Sequence, residues 1–492
     1  MDRSSGILMP ISSLSSPYGI GTLGQAAYDF VDFLQEAGQH YWQILPICPT
    51  SIGDSPYQSF STFAGNPYFI DFDLFEEDGY LKKSDYENLD WGDSENSVDY
   101  GKLYENRFRV LRRIFDNWVD DNREIMSRFL QYNSAWVEDY ALFMTLKQSH
   151  RGAPWWEWEE PYRLRDKEAM DQFHRQNARD VDFWIFVQCV FYRQWNALKA
   201  YAHEKNVKII GDVPIYVARD SSDVWANTEG FWLDEDLNPV KVAGCPPDAF
   251  STVGQLWGNP LYRWDKMKED GYSWWMRRME AAANIYDVIR IDHFRGFDSY
   301  YAIPAEDPTA EFGEWMEGPG MEFFDTLQQT LGELEIIAED LGFLTPSVQE
   351  LLKQSGFPGM KVLEFAFDSR EESDYLPHTY TQNSVAYIGT HDNDTAVGWI
   401  NSISKEDADY CKNYLRLTKS ESYHWGLIKS LMACVSQLAI IQMQDYLGLG
   451  SESRMNTPST VGKNWRWRID KNALTVKLAL KIRDNTKLYG RL

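Results

Sequence analysis

The stretch VIRIDHF at residues 288–294 decides the fold, because it has the apolar, β-branched composition of a buried strand. Neighbouring side chains of a strand alternate between its two faces. Ile289 and Ile291 therefore face one side, and Arg290 and Asp292 face the other. The stretch predicts a buried strand that presents charged groups towards its carboxyl end.

Seven other runs share this character, being short, apolar and flanked by turn residues. They lie at 6–11 (GILMPI), 41–47 (YWQILPI), 207–217 (VKIIGDVPIYV), 335–341 (EIIAEDL), 360–367 (MKVLEFAF), 384–390 (SVAYIGT) and 438–446 (LAIIQMQDY). Apolar residues at helical spacing lie between several of them, such as Ala26, Phe30 and Leu34. Eight strands alternating with helices predict an α/β fold of the (β/α)8 TIM-barrel type. A doubly wound sheet is the alternative, but eight such units close more naturally into a barrel.

Two intervals are too long for one crossover helix. Residues 72–178 are predicted to be a largely helical insertion after the second strand, because Leu111, Ile114 and Trp118 lie on one face of an amphipathic run. Residues 218–287 are rich in Pro, Gly and Trp and predict a second insertion, whose loop 246–260 lies near the barrel mouth. We find no internal repeat or linker, so residues 1–492 are predicted to form a single barrel domain.

Charge and cysteine usage exclude several classes of protein. The formal net charge is −26, and a surface that negative repels phosphate backbones and anionic lipids, so neither nucleic-acid nor membrane partners are expected. The five cysteines are odd in number and lack C-x-x-C spacing, which argues against a disulfide framework and predicts a cytoplasmic location. No apolar run is long enough for a signal peptide or a membrane span.

Tryptophan is abundant, at 20 of 492 residues, and occurs in the pairs Trp155-Trp156 and Trp274-Trp275 within polar stretches. A single tryptophan more often fills a core than binds a ligand. The excess nevertheless favours stacking on sugar rings for some of them, because flat aromatic faces pack on the C–H faces of sugars.

Reactive residues of a (β/α)8 barrel lie at the carboxyl ends of its strands. Three carboxylates stand out there: Asp292, Glu339 and Asp392. Arg290 would keep Asp292 ionised, as a nucleophile requires, whereas the apolar run before Glu339 would raise the pKa of that carboxyl and retain a proton. Two carboxyls in different protonation states fit the cleavage of a glycosidic bond. Other polar residues at these ends are Asp212, Asp340, Asp368, His391 and Asp394.

Spacing alone leaves other uses of these residues open. A strand-end aspartate more often caps a helix than catalyses a reaction, Arg290 could form a purely structural ion pair, and His391 could be a core histidine. His391, Asp392 and Asp394 could ligate a metal, but HExxH, cysteine-pair and EF-hand patterns are absent from the sequence, so no metal is predicted. GIGTLG at 19–24 partly matches a dinucleotide-binding loop but lacks its context.

Longer motifs then show a resemblance that covers nearly the whole chain. They are SSLSSPYGIGTLG at 12–24, GDSPYQSFSTFAGNPYFID at 53–71, GDVPIYVARDSSDVWAN at 211–227, PPDAFSTVGQLWGNPLY at 246–262, RIDHFRG at 290–296, AEDLG at 338–342, GTHDNDT at 389–395 and NTPSTVGKNWRWR at 456–468. The sequence closely resembles 4-α-glucanotransferases, also called amylomaltases, a branch of the α-amylase superfamily. The resemblance implies a (β/α)8 catalytic domain without the C-terminal β-domain of amylases, a retaining transfer between α-1,4-glucans, and no cofactor.

The resemblance also assigns roles to residues. Asp292 matches the family's nucleophile, Glu339 its acid/base, and Asp392 the carboxylate that supports the transition state. The matching substrate-binding positions are Tyr57, Ser55, Asp212, Gln255, Trp257, Arg290, Asp340, Asp368, His391 and Asn464. Departures from the family pattern are Ser459 and Lys463, where glycine is usual, and Ser15, where proline is frequent; the first two make the role of Asn464 less certain.

The expected partners are neutral glucans that act as donor and acceptor, such as maltooligosaccharides or fragments of starch or glycogen. An α-1,4-glucan hydrolase of the same superfamily is the alternative activity. A non-catalytic glucan-binding barrel is a third possibility, because a fold does not fix a function. The three carboxylates argue against it. The sequence does not give the oligomeric state.

Overall fold

The computed structural model describes residues 2–51, 53–247, 251–342, 344–371 and 373–492. The strands in these ranges are β1 Ser4–Leu8, β2 Tyr41–Gln43, β3 Lys208–Pro214, β4 Lys241–Cys245, β5 Gln255–Pro260, β6 Val288–Asp292, β7 Ser299–Pro304, β8 Glu314–Glu317, β9 Ile336–Ala338, β10 Gly359–Val362, β11 Ser384–Tyr387 and β12 Leu438–Gln442. The α-helices are α1 Gln25–Glu36, α2 Asp73–Glu77, α3 Tyr100–Trp118, α4 Arg123–Asn133, α5 Val137–Ser149, α6 Glu160–Arg163, α7 Lys167–Gln176, α8 Ala178–Glu204, α9 Ser222–Ala226, α10 Trp264–Glu269, α11 Ser273–Ile285, α12 Gly320–Leu331, α13 Pro346–Ser355, α14 Ala396–Ser402, α15 Lys405–Leu415, α16 Tyr423–Ala433, α17 Met443–Leu447 and α18 Val476–Leu488. None of the helices in the described ranges combines the length and the apolar character needed to cross a membrane.

The predicted barrel is confirmed. Within the described residues, eight strands close into a barrel in the order β1-β12-β11-β10-β9-β6-β3-β2, and neighbouring strands pair in parallel. Each of these strands lies within, or starts at most two residues before, one of the eight apolar runs found in the sequence. The seam joins the first strand to the last, since Ser4 pairs with Leu438. Near the chain end, Arg491 donates hydrogen bonds to the carbonyl oxygens of Ser4 and Gln437 at 2.8 and 3.0 Å and ties this seam together.

Side chains from every barrel strand fill the interior of the barrel. They are Leu8, Tyr41, Ile210, Val288, Ile337, Met360, Val362, Val385, Tyr387, Leu438 and Ile440. Ile289 and Ile291 belong to the larger cluster that packs against the helices. Arg290 and Asp292, in phase with Val288, therefore face the barrel axis, as the alternation in the sequence predicts.

The strands are shorter than several of the apolar runs that predicted them. The run 360–367 leaves the sheet at Val362 and continues as a short 3₁₀ helix, Leu363–Phe365. The run 438–446 similarly passes from β12 into α17. In both cases several apolar residues beyond the strand, such as Leu363, Phe367 and Met443, still pack into the core, so hydrophobicity persists after the sheet ends.

The long interval between β2 and β3 is helical, as predicted, with α2 to α7 inside residues 72–178. Helix α8 follows and contacts β3 on one side and α3, α4 and α5 on the other. It thus connects the helical segment to the barrel. The division of the chain into one barrel with two insertions stays a prediction.

The interval 218–287 differs from the expected loop. The predicted loop 246–260 contains β5, and β4 ends just before it. Both strands join β7 and β8 in an antiparallel sheet of order β5-β4-β7-β8. Within the predicted loop 246–260, residues 248–250 lie outside the described part of the chain. Helix α11, near the end of the interval, contacts β3 and β6. Strand β4 (KVAGC) could not be recognised in the sequence, because its mostly small residues do not form an apolar run.

The tryptophan pairs are mostly structural. Trp155, Trp274 and Trp275 are buried in the core. Trp156 is partly exposed and lies against the guanidinium of Arg219, whose Cζ is 3.9 Å from the ring centroid. Core packing therefore accounts for most of this tryptophan signal.

Candidate active site

Arg290 links two aspartates at the carboxyl end of the barrel. The register of β3 and β6 places Asp212 beside Arg290 and Pro214 beside Asp292. Nη1 of Arg290 donates to both carboxylate oxygens of Asp212, at 2.8 and 2.7 Å, and to Oδ1 of Asp292 at 2.9 Å. The side chain of Asp212 is 0% exposed, whereas that of Asp292 is 28% exposed. Asp292 is thus the carboxylate of this group that a ligand can reach.

Glu339 directly follows β9, next to Asp292. Its oxygens accept hydrogen bonds from the backbone N–H groups of His293, at 2.7 Å, and Leu341, at 2.8 Å. Burial and the nearby charge of Asp292 raise the pKa of Glu339 to about 8, although Arg290 and the two N–H groups act in the opposite direction. The direction agrees with the expectation from the sequence, and the carboxyl holds a proton at neutral pH.

His293 takes a left-handed backbone conformation, with φ of 52°. This conformation turns the chain out of β6 so that its N–H points at Glu339. Burial lowers the pKa of the His293 imidazole to about 4, so the ring is neutral at physiological pH. The edge of the ring packs against Trp257, with centroids 4.9 Å apart and planes at 90°.

Asp392 lies in the loop after β11 and is held from a second segment of the chain. The side-chain amide of Asn456 donates to Oδ1 of Asp392 at 2.6 Å, and the guanidinium of Arg454 donates to the Asp392 carbonyl oxygen at 2.6 Å. Nε2 of His391 lies 3.4 Å from Oδ2 of Asp392. The Asp392 side chain is 45% exposed, so its carboxylate is open to a ligand.

Tyr57 joins these groups through its ring and its hydroxyl. The hydroxyl donates to Oδ2 of Asp212 at 2.7 Å, and the ring stacks on His391 with centroids 5.2 Å apart and an interplanar angle of 15°. Trp465 packs against both rings. Burial, reinforced by the charge of Asp212, raises the pKa of Tyr57 well above its usual value, so the hydroxyl keeps its proton. The Oγ of Ser55 accepts the Tyr57 backbone N–H at 3.2 Å and shapes this turn.

The antiparallel sheet contributes an aromatic side chain next to the strand end of β6. Trp257 on β5 contacts His293, and its indole N–H donates to Oε1 of Gln255 at 3.2 Å. Tyr216, which follows β3, packs near both Trp257 and His293. A partly exposed aromatic face therefore lies next to the strand end that carries Asp292.

Three predicted site residues have their polar groups engaged elsewhere. Asp340 accepts the backbone N–H of Met360 at 2.7 Å and is buried. Asp368 is not at a strand end as predicted, because β10 stops at Val362; Arg370 pairs with it and lowers its pKa to about 2. Asn464 bonds to Thr460 and Thr457 across its own turn. In the described contacts none of the three reaches the carboxylates above.

The site also contains residues that the sequence analysis missed. Asn456 and Trp465 both lie in the motif at 456–468, from which only Asn464 was chosen. Arg454 lies just before that motif. The motif at 456–468 therefore indicated this part of the site. Only the path of the folded chain shows which of its asparagines faces Asp392.

The described residues contain no group of three or more His, Cys, Asp or Glu side chains that could hold a metal ion. Asp394, a possible ligand by its place in the sequence, accepts a hydrogen bond from the Ser451 hydroxyl at 2.6 Å. What the site offers is an exposed carboxylate paired with arginine, a neighbouring protonated carboxyl, a third open carboxylate and aromatic surfaces. This combination suits a neutral, hydroxyl-rich substrate and acid-assisted substitution at carbon.

Comparisons with known proteins agree with this geometry. The family described as Glyco_hydro_77, 4-alpha-glucanotransferase, matches residues 9–474. A 4-alpha-glucanotransferase of Clostridium butyricum is 48% identical over 485 residues, covering 98% of this chain and 100% of that protein. One from Thermus thermophilus is 44% identical over 503 residues and covers 100% of both. The solved structure of a Streptococcus agalactiae amylomaltase in complex with acarbose superimposes with a TM-score of 0.97 at 44% identity, covering 99% of each chain.

Proposed function

The chain belongs to the 4-alpha-glucanotransferase family and has that activity, and we propose that it transfers glucan segments by double displacement at Asp292 and Glu339. One observation carries the proposal. The two carboxyls lie at adjacent strand ends in different electrostatic settings, Asp292 against Arg290 at 2.9 Å and Glu339 with a pKa raised to about 8 by burial. A retaining mechanism needs one ionised and one protonated carboxyl, about 5–5.5 Å apart.

In the first step, Glu339 gives its proton to the glycosidic oxygen while an oxygen of Asp292 bonds to the anomeric carbon. The bond from that carbon to the glycosidic oxygen breaks, and the fragment bearing the new 4-hydroxyl leaves. A glucanosyl ester on Asp292 remains, with inverted configuration. Leaving-group protonation by Glu339 is the reason this step needs a protonated carboxyl.

In the second step, the 4-hydroxyl of an acceptor glucan gives its proton to Glu339 and its oxygen bonds to the anomeric carbon. The ester bond to Asp292 breaks and restores the carboxylate. Two inversions retain the α configuration, and Glu339 recovers the proton it gave. Donor and acceptor are maltooligosaccharides or segments of starch or glycogen.

The other site residues have supporting roles in this proposal. Asp392 stabilises the oxocarbenium-like transition state, whose positive charge develops only during reaction. Arg290 holds the Asp292 carboxylate in position for attack. Tyr57 lies beneath the reacting sugar, and Trp257 with Gln255 holds the acceptor. Asp212 acts through Arg290 and Tyr57, because its own side chain is not exposed. The family resemblance alone supports a substrate-binding role for four further residues, Ser55, Asp340, Asp368 and Asn464.

Transfer must outcompete hydrolysis by water, which reaches the same ester. A bound and oriented acceptor has an effective molarity far above that of bulk solvent, so binding the acceptor favours transfer. The aromatic surface of Trp257 and Tyr216 beside His293 supports this part of the proposal. We also propose a cytoplasmic location, because the five cysteines are odd in number and lack C-x-x-C spacing, which suits a reducing compartment.

Maltotriose tests the proposal directly. The wild-type protein should give glucose and a ladder of longer maltooligosaccharides with little gain in reducing ends. Asp292→Asn should abolish turnover, and Asp298→Asn, which changes a nearby aspartate bonded to Ser299 and Ser347, should leave it intact. Substantial turnover by Asp292→Asn would refute the nucleophile assignment. A steady rise in reducing ends would favour the hydrolase alternative.

A further inference from the structure

The loop that carries Tyr57 forms a short arm at the barrel rim, here called the Tyr57 arm and defined as residues 53–62. Its returning part pairs with the chain that enters it, since the N–H of Ser51 donates to the Gln58 carbonyl oxygen at 3.0 Å. A left-handed conformation at Asp54, with φ of 59°, turns the chain. Tyr57 lies just before this pairing, so its position depends on how the arm is held.

Close packing does not support the arm on the side that faces the barrel wall. A cavity of about 40 Å³ lies there, lined by Tyr57 and Thr62 of the arm and by Val213 and Tyr286 of the wall, among others. Protein interiors contain few voids larger than a water molecule, and about 10–15 Å³ already accommodates one. Polar contacts at the end of the arm therefore gain importance for its position.

Helix α9 provides these polar contacts. The backbone N–H of Ser222 donates to the Phe60 carbonyl oxygen at 2.8 Å, and the Ser222 hydroxyl donates to the same oxygen at 3.1 Å. Asp223 accepts both hydrogen bonds that Thr62 can donate. Its Oδ2 accepts the backbone N–H at 2.8 Å, and its Oδ1 accepts the hydroxyl at 3.1 Å. One planar carboxylate thus fixes the backbone and the side chain of Thr62 together.

Asp223 makes these contacts from a buried position, with 3% of its surface exposed. Burial raises the pKa of Asp223 to about 6, although the two donors of Thr62 and the charge of Arg278 act in the opposite direction. The guanidinium of Arg278 itself donates to the backbone carbonyl oxygens of Pro214 and Ile215. Burying a carboxylate destabilises a fold unless hydrogen bonds or a paired cation compensate it, so the bonds from Thr62 are needed here.

We propose that Asp223 is a positioning residue for the reaction, which holds the Tyr57 arm through Thr62 and thereby places the Tyr57 ring beneath the reacting sugar. The inference rests on the proposed function, in which Tyr57 lies beneath that sugar. Asp223 is too deeply buried to touch a glucan and acts through the arm. The Tyr57 ring also stacks on His391, and its hydroxyl donates to Asp212, so a displaced arm disturbs both contacts.

Stabilisation of α9 is the structural alternative for Asp223. The residue lies in the first turn of this helix, where a negative charge is favourable. The helix has its own cap, however, because the Ser221 hydroxyl oxygen accepts the N–H of Val224 at 3.2 Å. A role in α9 alone predicts a lower melting temperature and unchanged catalysis, whereas a positioning role predicts a loss of kcat/KM in fully folded protein.

A double-mutant cycle on maltotriose tests the proposal. Asp223→Ala should lower kcat/KM about tenfold well below the melting temperature, because the contact of Tyr57 with the reacting sugar is weakened. In a Tyr57→Ala background the arm no longer carries the ring, so Asp223→Ala should lower kcat/KM by less than a further twofold. The same tenfold loss in both backgrounds would overturn the proposal, because a general structural effect does not depend on Tyr57.

Two milder variants give the test a result even if Asp223→Ala does not fold. Asp223→Asn should keep kcat/KM within twofold, since the amide oxygen can accept the Thr62 N–H while the amide nitrogen donates to the hydroxyl. Thr62→Val removes that hydroxyl alone and should lower kcat/KM about threefold. Its matched control is Thr22→Val, which removes a hydroxyl bond of 2.6 Å to the buried Asp71, outside the arm, and should leave kcat/KM unchanged. Equal losses in the two threonine variants, or a tenfold loss in Asp223→Asn, would contradict the role of these bonds.

The cycle also separates this inference from the proposed function. It compares rates of maltotriose consumption, which can be measured whether the glucan is transferred or hydrolysed. Turnover by Asp292→Asn or a steady rise in reducing ends would count against the proposed mechanism and leave the coupling between Asp223 and Tyr57 as measured.

Discussion

The side-chain amide of Asn456 donates a hydrogen bond of 2.6 Å to Oδ1 of Asp392, from the segment that follows β12 to the loop that follows β11. The bond fixes one oxygen of an otherwise open carboxylate. Because Arg454 holds the backbone of the same residue, the segment after β12 orients Asp392 twice over.

Asn456→Ala should lower kcat on maltotriose by about 10- to 100-fold, since a hydrogen bond to a charged group contributes about 1.5–3 kcal/mol. Asn383→Ala is the matched control, because that amide donates to the Gly356 carbonyl at 3.0 Å just before β10 and β11 begin, at the other end of these strands from the site. Steady-state kinetics with thermal melting to confirm folding would measure both. Equal losses in the two variants would show that Asn456 has no special role.

Activity should fall at alkaline pH as Glu339 loses its proton. Its pKa is raised to about 8 by burial and by Asp292, so the acid form exists below that pH and disappears above it. The alkaline limb of kcat/KM should have its midpoint near pH 8. Glu339→Gln should cost about 10²–10⁴-fold in rate and remove that limb. A limb that persists in Glu339→Gln belongs to another group.

The same shift affects stability. A carboxyl whose pKa is higher in the folded than in the unfolded state binds its proton more tightly when the protein is folded. Its contribution to the free energy of unfolding is largest at a pH where the folded and unfolded states are both protonated. Stability from Glu339 is therefore fully present below its ordinary pKa of 4.5 and declines as pH rises towards 8. Glu339→Gln should flatten this decline in urea-unfolding midpoints measured between pH 5 and pH 8. A decline of the same slope in both proteins would assign it to other groups.

Arg290→Ala should destabilise the protein by about 3–5 kcal/mol, because it leaves Asp212 buried without its counter-charge. Arg290→Lys should be intermediate, since lysine keeps the positive charge but is shorter than arginine and does not reach the position of Nη1, which contacts both aspartates. Arg370→Ala removes an exposed pair with Asp368 and should not change the unfolding midpoint. Similar midpoints for Arg290→Ala and Arg370→Ala would contradict the buried pairing.

Trp257→Ala should raise hydrolysis relative to transfer by about fivefold, the effect of losing one aromatic contact to the acceptor. The assay compares glucose release and ladder length from maltotriose. Trp156→Ala, another partly exposed tryptophan, packs on Arg219 and should keep the wild-type ratio. An unchanged ratio in Trp257→Ala would remove this residue from acceptor binding.

Ser459→Gly should stabilise the loop after Asn456 by about 1 kcal/mol, because Ser459 has a φ of 63°, a region that favours glycine. The position is one where the family pattern has glycine, and the backbone angle explains that pattern. Ser420→Gly, at a loop serine without a positive φ, should be neutral or destabilising. Melting temperatures would distinguish the two, and stabilisation by both would point to a general glycine effect.

The sequence predicted the barrel well because each barrel strand lies buried between helices and lumen and therefore reads as an apolar run. Asp292, Glu339 and Asp392 could be grouped from the sequence because strand ends converge at one rim, and their catalytic roles stay a proposal. Asp368 was misplaced because the apolar run before it turns into a 3₁₀ helix after Val362. The antiparallel sheet was missed because β4 consists of small residues, and Asn456 because only the path of a loop decides which amide meets Asp392.

The pairing of β1 with β12 has a consequence for the order of folding. Ser4 cannot pair with Leu438 until the more than 430 residues between them have been synthesised, and Arg491 joins that seam later still. One edge of β1 therefore stays unpaired until β12 has been synthesised. Unpaired strand edges promote aggregation and are bound by chaperones. Closure of the barrel is a late, non-local step, and the slowest phase of refolding should report on it.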